Sequence, residues 1–438
     1  MYRAISEELL AFIQKNPTAF HTAASVRSAL LEAGYAELLE SGVWRLEPGK
    51  NYFVCRGGSS VIAFQAGTDL ARYSFNIAAA HTDSPTFKLK ERCEHRAGGR
   101  CTVLNVEGYG GMICSTWLDR PLSVAGRVLV RREDGAVAAE LVNLDRDLLL
   151  IPSVAIHMNR NVNEGAAFNK QVDMLPLFSG EEGGSLSGLL AEALGMGEER
   201  ILGSDLYLYS RDRPAVWGCG GEFISSGRLD DQQCVFAALR GFLRGASPRS
   251  INVLACFDNE EVGSGTRQGA ASPFLRDVLR RISLALGRGE EDYLRALASS
   301  FMLSADNAHA VHPNHPEHAD AENRVYLNEG VVVKSHAGQR YTTDGMSAAV
   351  VRALADRGEV PLQFFSNRSD MAGGSTLGNI AMTHVPVKCA DIGLPQLAMH
   401  ACYETAGVKD TWHMVRLMEA FFSSHFEETE AGVLRIEG

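Results

Sequence analysis

Ser74-Phe75-Asn76-Ile77-Ala78-Ala79-Ala80-His81-Thr82-Asp83 is a mainly apolar run that stops abruptly at three polar residues. A continuous run this short reads as a strand covered on both faces. The arrangement recurs further along the chain. Ile251–Phe257 leads into Asp258-Asn259-Glu260-Glu261, and Phe301–Ser304 is followed closely by Asp306. Leu362–Phe365 and His384–Cys389 are further strand candidates, with helical patterns such as Val235, Leu239 and Phe242 between them. Alternation of this kind predicts an α/β fold with a largely parallel sheet flanked by helices.

Upstream, Leu9, Leu10, Phe12 and Ile13 share one helical face, and a second helix is expected over about Ala23–Ala33, with Gly34 as its stop. Short strands begin near Asn51. Residues 92–222 have another texture: strand-like pieces at Gly126–Val130 and Ala138–Leu144, a loop rich in Asn, Gly and Glu, and one short helix at Leu186–Met196. A chain of 438 residues exceeds what one hydrophobic core comfortably serves. The expected organisation is a discontinuous α/β domain, 1–91 plus 223–438, with an inserted, mostly β domain over 92–222.

Bulk properties exclude several classes. The net charge of −11 argues against nucleic-acid and anionic-membrane partners. No apolar run approaches the roughly 18 residues of a membrane span. The start of the chain reads as a first helix and not as a signal peptide. Nine scattered cysteines, none in C-x-x-C, fit neither a disulfide framework nor a cysteine zinc site, and a cytoplasmic location is expected.

The chemistry sits where strands end or a helix begins: His81, Asp83, Glu260, Glu261, Asp306, and Asp230 in Ser226-Gly227-Arg228-Leu229-Asp230-Asp231. In open α/β sheets such loops converge on one crevice. Histidine and carboxylate without cysteine suit catalytic zinc, and a pair of ions needs a bridging carboxylate. Of the adjacent Glu260 and Glu261, one can bind metal while the other acts as general base. Asp83 is placed to hold the second ring nitrogen of His81. Taken singly, each signal has an ordinary explanation: a surface turn for His-x-Asp, a solvated loop for Glu-Glu, a helix cap for Asp230. Their joint placement outweighs these. His309, His312, His315 and His318 recur every three residues, but Pro313 and Pro316 forbid one helical face, so an ordered loop is preferred to a metal box, with only His309 well placed for catalysis. Gly108-Tyr109-Gly110-Gly111 reads as a turn. H-E-x-x-H, G-x-S-x-G and a P-loop are absent.

Six ordered motifs resemble the aspartyl aminopeptidase family of two-zinc aminopeptidases. They are Ala80–Pro85, Ser226–Asp231, Phe257–Ser264, Ser304–Asn314, Asp391-Ile392-Gly393 and Ala398-Met399-His400, and the resemblance covers nearly the whole chain. It implies a zinc-exopeptidase-like fold and two divalent ions per subunit, zinc foremost, with cobalt or manganese also suited to such ligands. Asp230 would bridge them, His81 and Asp306 would hold one, and Glu261 and His400 the other. Glu260 matches the general base and Asp83 the acid that orients His81. His157 matches a residue given to a neighbouring subunit's site, and His309, Lys334 and Tyr341 match substrate contacts. The resemblance also implies peptide substrates with acidic N-termini, and a homododecamer built of dimers through the inserted domain. Two other readings stay open: a non-catalytic binding protein that kept the fold, and a two-metal hydrolase acting as deacetylase or carboxypeptidase.

Overall fold

The computed structural model describes the whole chain, Met1–Gly438. Its main sheet has nine strands: β1 (Ala36–Leu38), β2 (Asn51–Arg56), β3 (Ser60–Ala66), β4 (Ser74–His81), β5 (Ser250–Phe257), β6 (Phe301–Ala305), β7 (Val331–Lys334), β8 (Leu362–Phe365) and β9 (Lys388–Gly393). They lie in the order β1-β2-β3-β5-β4-β6-β9-β7-β8. The four central strands, β5, β4, β6 and β9, are parallel to one another. Antiparallel joins occur at β2–β3, β3–β5 and β9–β7, so the sheet is mixed around a parallel centre.

The continuous apolar runs follow from burial on both faces. Every residue of β4 and of β5 is buried. Phe75, Ile77 and Ala79 pack into one core together with Ile251, Val253, Ala255 and Phe257. Ala78 and Ala80 face the other core, with Leu254 and Cys256. Helices cover both sides: Phe274–Ala285 and Glu290–Ser299 on the first, and Ala19–Glu32, Leu229–Arg244 and Asp410–Phe422 on the second.

One expected strand is displaced. Of His384–Cys389 only Lys388 and Cys389 enter a strand, as the start of β9. The amides of His384 and Val385 both donate to the Ala381 carbonyl, so this stretch continues the turn that closes the helix Leu377–Ala381. The second helix begins earlier than expected, at Ala19.

A six-stranded antiparallel sheet runs from Thr86 to Ser210 over its own apolar cluster, which includes Phe87, Trp117, Val124 and Leu208. A five-stranded sheet combines Ala215–Trp217 and Phe223–Ser226 with Glu404–Gly407, Pro395–Leu397 and Ala308–His309. No helix is long and apolar enough to cross a membrane, and all nine cysteines are free.

Candidate metal centre

The carboxyl ends of β5, β4 and β6 lie side by side and deliver Glu260-Glu261, His81 and Asp306 to one place. Asp230 comes from the start of the helix Leu229–Arg244, where Asp230 and Asp231 are non-helical and joined by a cis peptide bond. His400 follows the strand Pro395–Leu397. His400, Asn259 and Arg228 all have left-handed φ, at 67°, 64° and 61°. Such conformations are costly for residues other than glycine and tend to gather where side chains must be aimed.

Asp230 is the hub. Its Oδ1 lies 3.4 Å from His81 Nε2, and its Oδ2 lies 3.3 Å from His400 Nε2. His400 Nε2 is also 3.4 Å from Glu261 Oε2, while His81 Nε2 is 4.0 Å from Asp306 Oδ1. Two groups of donor atoms share the Asp230 carboxylate: His81, Asp230, Asp231 and Asp306 in one, and Asp230, Glu261 and His400 in the other; His81 also groups with Glu260 and Glu261 between them.

Both imidazoles are aimed by main-chain oxygens. His81 Nδ1 donates to the Asp83 carbonyl at 3.0 Å, and His400 Nδ1 donates to the Gly111 carbonyl at 2.7 Å. Each bond fixes the tautomer that leaves Nε2 free to face Asp230. The carboxylate of Asp83 has another task. It is 3.4 Å from His81 Nδ1, and it accepts from the Tyr109 hydroxyl at 2.7 Å and from the amides of Glu260 and Glu261 at 3.1 and 3.2 Å. Asp83 thus holds the Glu260-Glu261 turn as well as lying beside the histidine.

The electrostatics call for cations. Asp230 Oδ1, Asp231 Oδ1 and Glu261 Oε1 are buried without a hydrogen-bond partner, an expensive state for a carboxylate oxygen unless a cation meets it. Burial pushes Glu260 up to about 7, with His81 opposing and the charges of Asp306, Asp83 and Asp230 adding. Burial and the Asp230 charge also push Glu261 well above the usual carboxylate range. Burial would depress both imidazoles, but at His81 the Asp231 charge and the bonds to Asp230 and Asp83 override it. Asp230 and Glu261 do the same at His400, raised to about 10. Asp230 itself is held low by these two rings despite its burial. Protons gather where positive charge is wanted, and divalent ions fit the same donor set.

The open cleft over this cluster has a volume of ≈ 640 Å³ and is also lined by His309, Lys334, Tyr341 and Gly374-Ser375-Thr376. Lys334 is no surface lysine. It is buried, donates to the carbonyls of Asp306 and Asn307 at 2.9 and 3.2 Å, and sits 5.2 Å from the Tyr341 ring centre. His157 stands apart, exposed and outside the lining of this cleft.

Three contributors escaped sequence reasoning. Asp231 accepts from the His81 amide at 3.0 Å, and the Asp-Asp pair was its only signal. Buried Glu404 accepts from the amides of Asp230, at 3.1 Å, and His400, at 2.7 Å. The glycine segment 108–111 packs onto the site; its first half ends the strand Cys101–Tyr109 and only Gly110-Gly111 bends, and a side chain on Gly110, whose φ is 77°, would meet Glu261 Cβ at 3.1 Å.

The family described as aminopeptidase I zinc metalloprotease (M18) matches residues 12–422. A probable M18 family aminopeptidase 2 of Clostridium novyi is 44% identical over 425 residues, covering 95% of this chain and 98% of that protein. Its counterpart in Clostridium acetobutylicum is 45% identical over the same length and coverage. Among solved structures, Ape4 in a complex with Nbr1 superposes with a TM-score of 0.93 at 35% identity, covering 96% of this chain and 86% of that one. The mApe1 dodecamer of S. cerevisiae gives 0.83 at 26% identity, covering 96% and 97%.

Proposed function

The chain belongs to the aminopeptidase I zinc metalloprotease (M18) family and is an aminopeptidase hydrolase, and from that premise we propose that it works with two divalent ions, zinc foremost, shared across Asp230. His81 and Asp306 would hold one ion, Glu261 and His400 the other. The observation that carries this reading is the division of Asp230: one oxygen faces His81, the other faces His400. What the ions supply when bound is polarisation of the scissile carbonyl and acidification of the attacking water.

Glu260 is the general base. It takes the proton of the attacking water and returns it to the leaving amine. It lines the cleft beside the donor cluster, where a carboxylate can accept a proton from water and release it again. Asp83 positions it through the Glu260 amide. The substrate's free α-amino group rests against the carboxylate wall, which restricts cleavage to the first residue. Lys334, with His309 and Tyr341, lines the place for the first side chain, and its ammonium favours an acidic one.

The segment 92–222 acts as an inserted domain for self-association into a homododecamer built of dimers. Support comes from exposed Val154, Ile156, Met158 and Val172, which flank His157 on a turn-rich stretch. Exposed apolar side chains beside His157 suit burial against a second copy of the chain. His157 would then serve a neighbouring copy's site, as a substrate or oxyanion contact.

Glu260→Gln tests the base. Turnover of an aspartyl or glutamyl arylamide should fall by about 10²–10⁴-fold, with zinc per chain unchanged by elemental analysis. Near-full activity in that variant would remove Glu260 from the role.

A further inference from the structure

His312, His315 and His318 play no part in the catalytic centre. The prolines that forbid a helical face instead fold the loop back on itself: His312 and His315 form a bridge, and Pro316–His318 makes a single tight turn. His315 Nδ1 lies 3.0 Å from Glu317 Oε1, and His318 Nε2 lies 3.6 Å from the same oxygen. All three donor atoms fall within 4.8 Å of one another. We infer that His315, Glu317 and His318 form a second metal site, separate from the catalytic pair, for a divalent transition ion such as zinc.

Tetrahedral zinc with bonds of about 2.0–2.1 Å places neighbouring donors about 3.3 Å apart. The two measured separations straddle that value. Two imidazoles and one carboxylate suit zinc, cobalt, nickel or copper, and suit magnesium or calcium poorly. His312 is at hand as well. Its Nδ1 accepts from the Asn314 amide at 3.2 Å, which leaves Nε2 free, and its ring centre is 5.3 Å from that of His315. Water can fill the remaining position, because the cluster is exposed.

The turn is braced from behind. The Arg368 guanidinium donates to the Glu317 carbonyl and pairs with Asp370. The backbone that carries Glu317 is therefore fixed, which removes part of the ordering cost of binding. The loop also begins at Asp306, so an ion here fastens the far end of a segment whose near end lines the catalytic cleft.

The test is equilibrium dialysis of the full-length protein, with its catalytic ions in place, against micromolar zinc chloride, followed by elemental analysis. The wild type should hold one more zinc per chain than a His315→Ala/His318→Ala variant, at equal peptidase activity. Glu317→Gln should weaken the extra zinc at least tenfold. Equal zinc in wild type and double variant would overturn the site and leave only a cluster of His–Glu hydrogen bonds. The readout is a difference between variants, so it holds whatever number of ions the catalytic centre carries.

Discussion

Two clusters in this molecule offer the same donors in opposite settings. In the buried cluster the side chains of His81, Asp230 and Glu261 are 1%, 3% and 4% exposed and that of His400 is 30% exposed, whereas His315, Glu317 and His318 are 59%, 59% and 61% exposed. The buried cluster has a complete outer layer. Asp83 and Gly111 carbonyls aim the two rings, Glu404 holds two backbone amides, and Asp231 holds a third. The exposed one has a braced turn and little else. Donor type decides which ions are accepted. Dehydration and outer hydrogen bonds decide how tightly they are held and whether they can polarise a substrate.

The sharpest way to break this comparison is at the hub. Asp230→Asn keeps the shape of the side chain but removes its charge and half its acceptor capacity. Both halves of the buried centre should lose metal, and turnover should fall to background. The loop cluster should keep its zinc in the same protein, measured by elemental analysis. Retention of a full metal complement by the variant would show that Asp230 does not join two ions.

A smaller effect is expected one layer out. Glu404 is raised to about 8, first by burial and then by the Asp230 charge, against the two amides it accepts from. Glu404→Gln puts an NH2 group opposite one of those amides. The backbone that carries Asp230 or His400 then loses its anchor, and metal affinity should drop by about 10–100-fold with recovery at high zinc. Unchanged affinity would reduce Glu404 to a packing residue.

Much of the buried centre was legible because its first layer lies at the ends of apolar runs. Ser74–Ala80 and Ile251–Phe257 are covered on both faces, so their sequences are nearly continuous in apolar residues and their polar termini stand out. The outer layer was not legible, since it acts through main-chain groups. Nothing in the type of residue 111 announces that its carbonyl will aim His400, and Glu404 binds amides that any residue could provide. His384–Cys389 misled for a related reason: apolar alternation is visible, but two amides committed to the Ala381 carbonyl are not. The histidine loop misled in the opposite direction. Pro313 and Pro316 exclude a helix, yet they do not exclude a turn that gathers the same rings.

The two clusters also separate by their protons. His400 is raised to about 10 in the metal-free protein and so carries a proton at neutral pH, and His81 is raised as well, by the Asp231 charge and its bonds to Asp230 and Asp83. Ligation requires neutral imidazole, so loading the buried centre must expel these protons. Affinity therefore falls as pH falls, by about tenfold per pH unit for each proton displaced. Titration calorimetry of zinc into metal-free protein, in buffers of different ionisation enthalpy, should report net proton release at pH 7. The His315→Ala/His318→Ala variant should leave the release of the tight phase unchanged, because its imidazoles belong to the other cluster. Zinc binding in the tight phase with no proton release would mean that His81 and His400 are already neutral, and that the carboxylate cage around them is not what raises their affinity for positive charge.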